Sequence, residues 1–329
     1  MEKVKVVFMG TPLFSVPVLE MLLEETKVVG VVTQPDRAVG RHQEIKISPI
    51  KEVALRHDVK ILQPENIKED YDEILDLKPD IIITCAYGQI LPQKLLDAPR
   101  LGCVNVHASL LPKLRGGAPL HHCLIDGYSK TGITIMYMVD QMDAGDIISQ
   151  QETEITMEDT VQTIHDRLSL MAPKLLKLTL PMIVDGKVVP IKQNEEEATY
   201  APTITADDEV INYSKSMKQI YNQIRGLCPF PGSFTYLDGK RMKVFGARMG
   251  DKVDSTKING EIIAVYDDGI GVKVENGEII FTDIQLAGKK RMLVKDYLNG
   301  LSDRTLLIGN IMDQTNVKKA YESRSIIEE

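Results

Sequence analysis

Short apolar runs alternate with amphipathic stretches through the first half of this 329-residue chain. The runs Val4 to Met9, Val28 to Val32 and Ile81 to Thr84 are rich in the apolar and β-branched residues that strands prefer. Between them lie segments with apolar residues at helical spacing, such as the one that begins at Pro17 and the one from Ile50 to His57. This alternation predicts an α/β fold with a doubly wound, mostly parallel N-terminal sheet.

The turn after the first predicted strand bears on cofactor use. It reads Gly10-Thr11-Pro12 and has a single glycine, so the G-x-G-x-x-G fingerprint that cradles a dinucleotide is missing. Hydride transfer with a nicotinamide cofactor is therefore disfavoured.

Composition and charge narrow the class of protein. The formal net charge is -8, which argues against a protein that coats nucleic acid by charge alone. The four cysteines are widely spaced without a C-x-x-C pair, so we expect buried free thiols rather than a zinc site or a disulfide framework. No apolar run approaches membrane-spanning length, and the first residues enter a predicted strand directly, so we expect a cytoplasmic protein.

One stretch, Gly102 to Asp146, carries polar residues that a core does not need. A short strand around Val104 delivers Asn105 and His107, and a period of two puts both side chains on one face. A second β-rich run follows and ends in the turn that contains Asp143. Asparagine can hydrogen-bond a developing oxyanion while aspartate orients or charges the imidazole, so the set suits proton transfer at an acyl carbon.

Each of these residues also has a simpler structural explanation. Asn105 could be a turn former, His107 a hydrogen-bonded core histidine and Asp143 a loop cap. The three occur together, however, in the pattern NVHxSLLPxxRG followed by TGIT and DAGD, which closely resembles the folate-dependent formyltransferases. The resemblance implies that Asn105, His107 and Asp143 are the catalytic residues.

The same resemblance implies that a tetrahydrofolate cosubstrate lies along the loop SLLP. The segment CAYGQILP closes the strand that begins at Ile81 and is expected to form another wall of this pocket. The expected cosubstrate-binding residues are Tyr87, Gly88, Ser109, Leu110, Leu111 and Pro112. Relatives often carry an aromatic residue where this chain has Leu114, which affects the local packing rather than the chemistry.

A long polar segment, residues 33–51, has no regular periodicity and is expected to be a loop that stays mobile until a partner orders it. Arg37 and Arg41 within it could contact phosphate. The pattern T-Q-P-D-R-x-x-G-R resembles the transfer-RNA branch of the family, in which this loop lies against the acceptor stem. Relatives often continue with lysines, whereas Gln43 and Glu44 follow here.

The second half of the chain predicts a smaller domain. Short strand candidates separated by Asp-Gly and Asn-Gly turns indicate a small antiparallel, OB-like barrel, a fold that commonly binds nucleic acid. Its candidate tRNA contacts, which could equally be solvated hairpin charges, are Lys240, Arg241, Lys243, Arg248, Lys289, Lys290 and Arg291. We expect a catalytic domain over 1–186, a linker over 187–206, an OB-like tRNA-binding domain over 207–315 and a tail over 316–329.

The resemblance covers nearly the whole chain and implies one reaction. A formyl group would pass from 10-formyltetrahydrofolate to the α-amino group of methionine on initiator tRNA, with no metal, and we expect a monomer. Three alternatives remain: formylation of an amino sugar on a nucleotide, a folate- or nucleic-acid-binding module without activity, and a metal enzyme that uses Asp140, Asp143 and Asp146.

Overall fold

The computed structural model describes residues 3–39 and 44–312, and within them the chain forms two compact units. The N-terminal unit comprises the residues up to Pro119, Lys130–Ile155 and Thr163–Pro202. The C-terminal unit comprises Leu120–Ser129, Thr156–Gln162 and the described residues from Thr203 onward. Each unit has its own sheet and its own apolar core.

The strands and helices follow one another along the chain with short connections. The strands are β1 (Lys5–Gly10), β2 (Lys27–Val32), β3 (Arg37–Val39), β4 (Glu44–Lys46), β5 (Ile61–Leu62), β6 (Ile81–Cys85), β7 (Cys103–His107), β8 (Lys130–Tyr137), β9 (Ile147–Glu154), β10 (Ser233–Leu237), β11 (Lys240–Gly250), β12 (Ile262–Val265), β13 (Ile270–Val274), β14 (Gly277–Leu286) and β15 (Met292–Leu293). The helices are α1 (Val16–Glu25), α2 (Pro49–Arg56), α3 (Asp72–Asp76), α4 (Gln93–Asp97), α5 (Pro119–Ile125), α6 (Val161–Val184), α7 (Met217–Gly226) and α8 (Val294–Asn299), with 3-10 turns at Leu13–Ser15, Glu195–Glu197 and Arg304–Leu307.

The main sheet of the N-terminal unit has the order β5-β2-β1-β6-β7-β8-β9. Its first five strands pair in parallel, whereas β7 with β8 and β8 with β9 are antiparallel. Residues Val6 through Met9 of β1 are apolar and fully buried, as is typical of a parallel strand covered on both faces of its sheet. The predicted doubly wound, mostly parallel sheet is confirmed.

The C-terminal unit is built on an antiparallel sheet of the order β10-β11-β14-β13-β12, with β15 paired to β14. The inward side chains of these strands, including Met242, Val272 and Phe281, are fully buried in one core cluster. The predicted second, antiparallel domain is confirmed, and its sheet is consistent with a small barrel.

The segment from 33 to 51 contains regular structure that its sequence does not reveal. Strands β3 and β4 form an antiparallel hairpin in which Arg37 lies opposite Lys46. Each strand spans only three residues, which is too short for an alternating pattern to be recognised. The prediction of an irregular loop is therefore wrong for these residues.

Helix α6 also runs further than its sequence predicts. The expectation that Pro181 ends a helix from Thr160 to Leu180 is wrong, because the helix continues to Val184 with Pro173 and Pro181 inside it. A proline removes one backbone donor, and the buried face of the helix outweighs that loss here.

No helix within the described ranges 3–39 and 44–312 is long and apolar enough to cross a membrane. All four cysteines are buried free thiols, as the sequence predicts. Burial raises the pKa of both Cys85 and Cys103 to about 12, which keeps these thiols protonated and unreactive at neutral pH.

Candidate active site

Strand β7 brings the first two candidate residues to one face of the sheet. Asn105 lies opposite Met136 of β8 and His107 lies opposite Thr134, so all four side chains share that face. His107 is buried, and Asn105 is partly exposed. The face therefore offers an amide beside an imidazole that is shielded from solvent.

The connection from β8 to β9, residues 138–146, supplies the carboxylate. Because β8 runs antiparallel to β7, this connection starts beside Val104 and must fold back over the sheet to reach the other polar residues. Asp143 Oδ1 lies 3.4 Å from Asn105 Nδ2, and Asp143 Oδ2 lies 3.7 Å from His107 Nδ1. The structure thus brings together the three residues expected to be catalytic.

The backbone at Asp143 is held in an uncommon conformation. Its φ of 52° lies in the left-handed region, which aspartate tolerates better than most residues. Its Oδ2 atom accepts a 2.8 Å hydrogen bond from the backbone N–H of Gly116. This bond fixes the carboxylate beside the imidazole rather than leaving it in solvent.

The orientation of His107 follows from its other ring nitrogen. Nε2 lies 3.0 Å from the carbonyl oxygen of Leu114, and a carbonyl only accepts, so Nε2 carries hydrogen and donates. Leu114 itself has a φ of 61°, which turns its carbonyl toward the ring. Nδ1, on the side of Asp143, is therefore the ring nitrogen that can take up and release a proton.

The orientation of Asn105 depends on a residue that the sequence does not single out. The Thr84 hydroxyl, at the end of β6, donates a 2.8 Å hydrogen bond to Asn105 Oδ1. With its oxygen engaged, Asn105 presents an N–H toward Asp143. Thr84 closes an apolar run on a neighbouring strand, and only the parallel pairing of β6 and β7 places it beside Asn105.

The loop after β7 is closed by its own hydrogen bonds. The buried Ser109 hydroxyl donates to Lys113 O at 2.7 Å, and Thr134 Oγ1 donates to Ser109 O at 2.6 Å. Leu111 is buried against Met136, whereas Leu110 and Pro112 stay partly exposed. Ser109 and Leu111 therefore shape the loop, and Leu110 and Pro112 present its accessible surface.

The segment after β6 places Tyr87 and Gly88 differently. The Tyr87 ring is buried in the core cluster of the N-terminal unit, and its hydroxyl has no hydrogen-bond partner among the described residues. Burial raises the pKa of Tyr87 to about 12. Its carbonyl oxygen faces the neighbouring loop instead and accepts from Gln34 Nε2 at 3.1 Å. Gly88 has a φ of 92°, a backbone conformation that favours glycine.

Of the two arginines expected in the 33–51 segment, Arg37 is exposed on β3, and Arg41 lies outside the described residues. Arg37 pairs across the hairpin with Lys46, an exposed cation that sequence reasoning missed. Side chains directly opposite each other in an antiparallel ladder share a face, and two like charges there are unfavourable without an anion between them. The sequence marks Lys46 as a candidate tRNA contact only by its place in the short charged run EIK.

The basic residues expected in the C-terminal unit fall into two groups. Lys240, Lys289 and Lys290 are exposed. The three arginines are also exposed but form ion pairs within the unit, namely Arg241 with Glu209, Arg248 with Asp268 and Arg291 with Asp283. Lys243 is partly buried and donates to Pro231 O at 2.6 Å. The unpaired positive charge is thus concentrated at the lysines.

The alternative of a metal enzyme finds no support in the arrangement of acidic residues. Within the described ranges, no group of three or more His, Cys, Asp and Glu residues is arranged to hold a metal ion. Asp140, Asp143 and Asp146 therefore do not form a ligand set, and Asp143 is committed to the contacts with Gly116 and His107.

Two family models match this chain. The one described as formyl transferase matches residues 3–180, and the one described as formyl transferase, C-terminal domain, matches residues 203–302. The methionyl-tRNA formyltransferase of Bacillus subtilis (strain 168) is 49% identical over 300 residues, which cover 90% of this chain and 94% of the relative. The methionyl-tRNA formyltransferase of Geobacillus sp. (strain WCH70) is 50% identical over 303 residues, with coverage of 90% and 94%.

Solved structures share the fold at lower sequence identity. The N-formyltransferase from Helicobacter canadensis, in complex with folinic acid and dTDP-3-aminofucose, aligns with a TM-score of 0.64 at 20% identity and covers 85% of this chain and 99% of that chain. HypX from Aquifex aeolicus, in complex with tetrahydrofolic acid, aligns with a TM-score of 0.59 at 15% identity, covering 90% of this chain and 47% of that chain. The two family models and the relatives matched along nearly their whole length show that this chain belongs to the formyl transferase family.

Proposed function

We propose that this protein transfers a formyl group from 10-formyltetrahydrofolate to the α-amino group of methionine on initiator tRNA, for translation initiation. Relatives 49% and 50% identical that carry the name methionyl-tRNA formyltransferase support this substrate. The observation that carries the chemistry is the meeting of Asn105, His107 and Asp143 on one sheet face, with separations of 3.4 and 3.7 Å.

In the proposed reaction, the amine nitrogen forms a bond to the formyl carbon, and the formyl oxygen gains negative charge. One N–H of Asn105 faces Asp143 only at 3.4 Å, and the other remains to donate to this oxygen. A donor aimed at a developing oxyanion is worth roughly 10²- to 10³-fold in rate. Asn105 is therefore the proposed oxyanion donor, with its amide oriented by Thr84.

The proton released by the attacking amine needs a route to the folate nitrogen from which the formyl group departs. Nδ1 of His107 is the available base, because Nε2 already donates to Leu114. The imidazolium formed in this way lies 3.7 Å from the Asp143 carboxylate, whose negative charge stabilises it. As the old carbon–nitrogen bond breaks, the leaving nitrogen takes up the proton, so atoms and charges balance.

The folate cosubstrate is proposed to bind between the loop after β7 and the segment after β6. These strands are parallel neighbours, so their carboxyl ends meet at the same edge of the sheet. Leu110 and Pro112 would contribute accessible apolar surface, and Tyr87 and Gly88 would contribute backbone groups. Ser109 and Leu111 would hold the loop in shape from within.

The tRNA is proposed to contact two sets of cations. One is the β3–β4 hairpin with Arg37, Lys46 and the predicted contact Arg41. The other lies on the C-terminal unit, where Lys240, Lys289 and Lys290 are exposed and without ion pairs to carboxylates in the described chain. We propose that residues 207–315 act as the tRNA-binding domain and that 1–186 supply the chemistry.

We propose that the protein acts as a monomer, with Asn105, His107 and Asp143 of a single chain forming the complete catalytic set. A charged tRNA substrate would place the reaction in the cytoplasm.

The test is formyl transfer with purified protein, 10-formyltetrahydrofolate and charged initiator tRNA, run beside a dTDP-linked amino sugar as acceptor. We expect product on the tRNA alone, and Asn105→Ala and Asp143→Ala should reduce turnover far more than cosubstrate binding. Formylation of the amino sugar alone would show that the amino sugar, and not the tRNA, is the acceptor. Absence of product with either acceptor would exclude formyl transfer to both.

A further inference from the structure

A glutamine far along the sequence from the proposed catalytic residues touches the backbone beside one of them. Gln193 is 5% exposed, and its Nε2 donates to two carbonyl oxygens, that of Asp143 at 2.8 Å and that of Gly145 at 2.7 Å. Both hydrogens of the amide are thereby used. The side chain spans the turn in which Asp143 sits.

The amide of Gln193 can adopt only this orientation. Its Oε1 accepts from Arg115 Nε at 3.1 Å and from Arg115 Nη2 at 2.8 Å, and a guanidinium offers donors only. On the opposite side stand two carbonyls, which only accept. A flipped amide would place oxygen against oxygen and nitrogen against guanidinium, so the hydrogen-bond partners exclude it.

Arg115 is itself held in place. Its side chain is fully buried, and its guanidinium makes a two-pronged pair with Glu195 at 2.8 and 2.9 Å. The pairing with Glu195 raises the pKa of Arg115, so the guanidinium stays charged. The residue after Arg115 is Gly116, whose N–H donates to the Asp143 carboxylate. Residues 115 and 116 thus support Asp143 in two ways. The Arg115 side chain orients Gln193, and the Gly116 N–H donates to the Asp143 carboxylate.

The supported turn has a constrained backbone. Asp143 has a left-handed φ of 52°, and a Cβ on Gly145 would lie 1.8 Å from the carbonyl oxygen of Tyr137. The turn therefore runs very close to β8 in a conformation that few sequences favour. The bonds from Gly116 and Gln193 tie this turn to residues outside it and hold the carboxylate within reach of the imidazole.

We infer that Gln193, oriented by Arg115, is a positioning residue that sets the location of Asp143 for proton transfer. The inference rests on the proposed function of Asp143. Gln193 touches no reacting atom, so its removal should lower kcat and leave the KM of both substrates nearly unchanged. Displacing a catalytic group by about 1 Å costs about 100-fold in rate.

The experiment uses the full-length protein and three variants: Gln193→Met, Asp143→Asn and the double variant. Methionine keeps the volume of glutamine and removes every hydrogen bond. Gln223→Met is the control for the loss of two amide-to-carbonyl bonds, because Gln223 is also 5% exposed and donates to two carbonyls, at 2.8 and 2.9 Å, in the C-terminal unit. Its Oε1 has no partner among the described residues, so this control does not include the loss of a guanidinium contact. Thermal melting of all variants measures the purely structural cost.

In formylation of charged tRNA, Gln193→Met should lower kcat about 100-fold in the wild-type background and less than about threefold in the Asp143→Asn background. Gln223→Met should lower Tm and leave kcat unchanged, because its two acceptors are the carbonyls of Asp208 and Val210. Equal losses in both backgrounds, or an unchanged kcat in Gln193→Met, would overturn the inference.

A second readout does not need activity and therefore separates this inference from the proposed function. Hydrogen exchange of the Gly116 N–H, the donor to Asp143, should accelerate in Gln193→Met and should not change in Gln223→Met. We also expect acceleration in Asp143→Asn, because an amide oxygen is a weaker acceptor than a carboxylate. Unchanged protection of Gly116 in Gln193→Met would show that Gln193 does not position Asp143, even if the protein proved to formylate another acceptor.

Discussion

Leu114 turns its carbonyl oxygen to within 3.0 Å of His107 Nε2, and this contact decides which nitrogen of the imidazole is available for chemistry. A side chain at position 107 that can donate to the Leu114 carbonyl but cannot take up a proton should keep the fold and lose formyl transfer. We predict that His107→Gln lowers kcat by about 10²- to 10⁴-fold, because an amide cannot carry the proton. Single-turnover formylation measures the loss, and cosubstrate binding by titration should stay within about threefold. Near wild-type turnover would remove His107 from the catalytic set.

Thr84 should matter through its hydroxyl alone. Thr84→Val keeps the shape and removes the 2.8 Å bond to Asn105, so we expect kcat to fall about tenfold, the equivalent of one net hydrogen bond. Thr84→Ser retains the hydroxyl and should behave nearly as wild type. If both variants lost equal activity, packing rather than amide orientation would explain the role of Thr84.

Tyr87→Phe tests how the segment after β6 contributes to the pocket. The Tyr87 hydroxyl is buried without a partner in the described chain, and such a group costs free energy in the folded state. Its removal should raise the free energy of unfolding by about 1 kcal/mol and leave the KM of the cosubstrate unchanged. A KM that rises tenfold would show that the hydroxyl itself binds the cosubstrate.

The hairpin cations should act on tRNA and not on folate. Arg37 and Lys46 are cross-strand partners, so the double variant Arg37→Ala/Lys46→Ala removes two neighbouring charges from one face. We expect the KM for tRNA to rise by roughly tenfold or more. The slope of the logarithm of the tRNA binding constant against the logarithm of salt concentration should become shallower by about one for each lost phosphate contact. Lys130→Ala, at an exposed lysine paired with Glu152, is the control and should change neither quantity.

Asp80 provides a prediction for pH. Its carboxylate accepts from the Lys5 backbone N–H at 2.8 Å and from Arg100 Nε at 2.7 Å, and these bonds hold the pKa of Asp80 below its ordinary value of 3.8. A lowered pKa in the folded state stabilises the fold above the unfolded value, and this contribution disappears as the pH falls through the folded value. Asp80→Asn should therefore lower Tm at neutral pH.

The difference in Tm between Asp80→Asn and the wild type should shrink as the pH falls below 3.8, the ordinary value for an aspartate. Melting curves from pH 7 to pH 2.5 measure it, with the exposed Asp70→Asn as control. A difference that stayed constant down to the lowest pH would mean that the charge of Asp80 does not contribute.

The structural features that could be predicted from the sequence are those encoded by patterns that repeat along the chain. The alternation of strand and helix extends over the first half of the chain, and it correctly predicts the parallel sheet. The spacing of Asn105 and His107 on one strand correctly predicts their shared face, because a period of two is a geometric property of every strand. The grouping with Asp143 came from the family pattern, and the structure brings the three together.

What supports these residues could not be predicted from local patterns. Thr84 meets Asn105 only through the pairing of parallel strands, and Leu114 acts through a backbone carbonyl that any residue possesses. Gln193 stands in a polar, proline-containing segment whose composition is typical of a linker. Contacts of this kind depend on tertiary packing, which leaves no periodic trace in a single sequence.

The chain beyond helix α6 sets the minimal length of a catalytic fragment. Thr199 O accepts from the Arg115 N–H at 2.9 Å, and Ala201 O accepts from the Ala118 N–H at 3.0 Å, so residues after the long helix complete the backbone of the catalytic loop. A fragment cut after Gly186 would leave these two donors without acceptors. To keep both acceptors, a catalytic fragment therefore has to extend at least to Ala201.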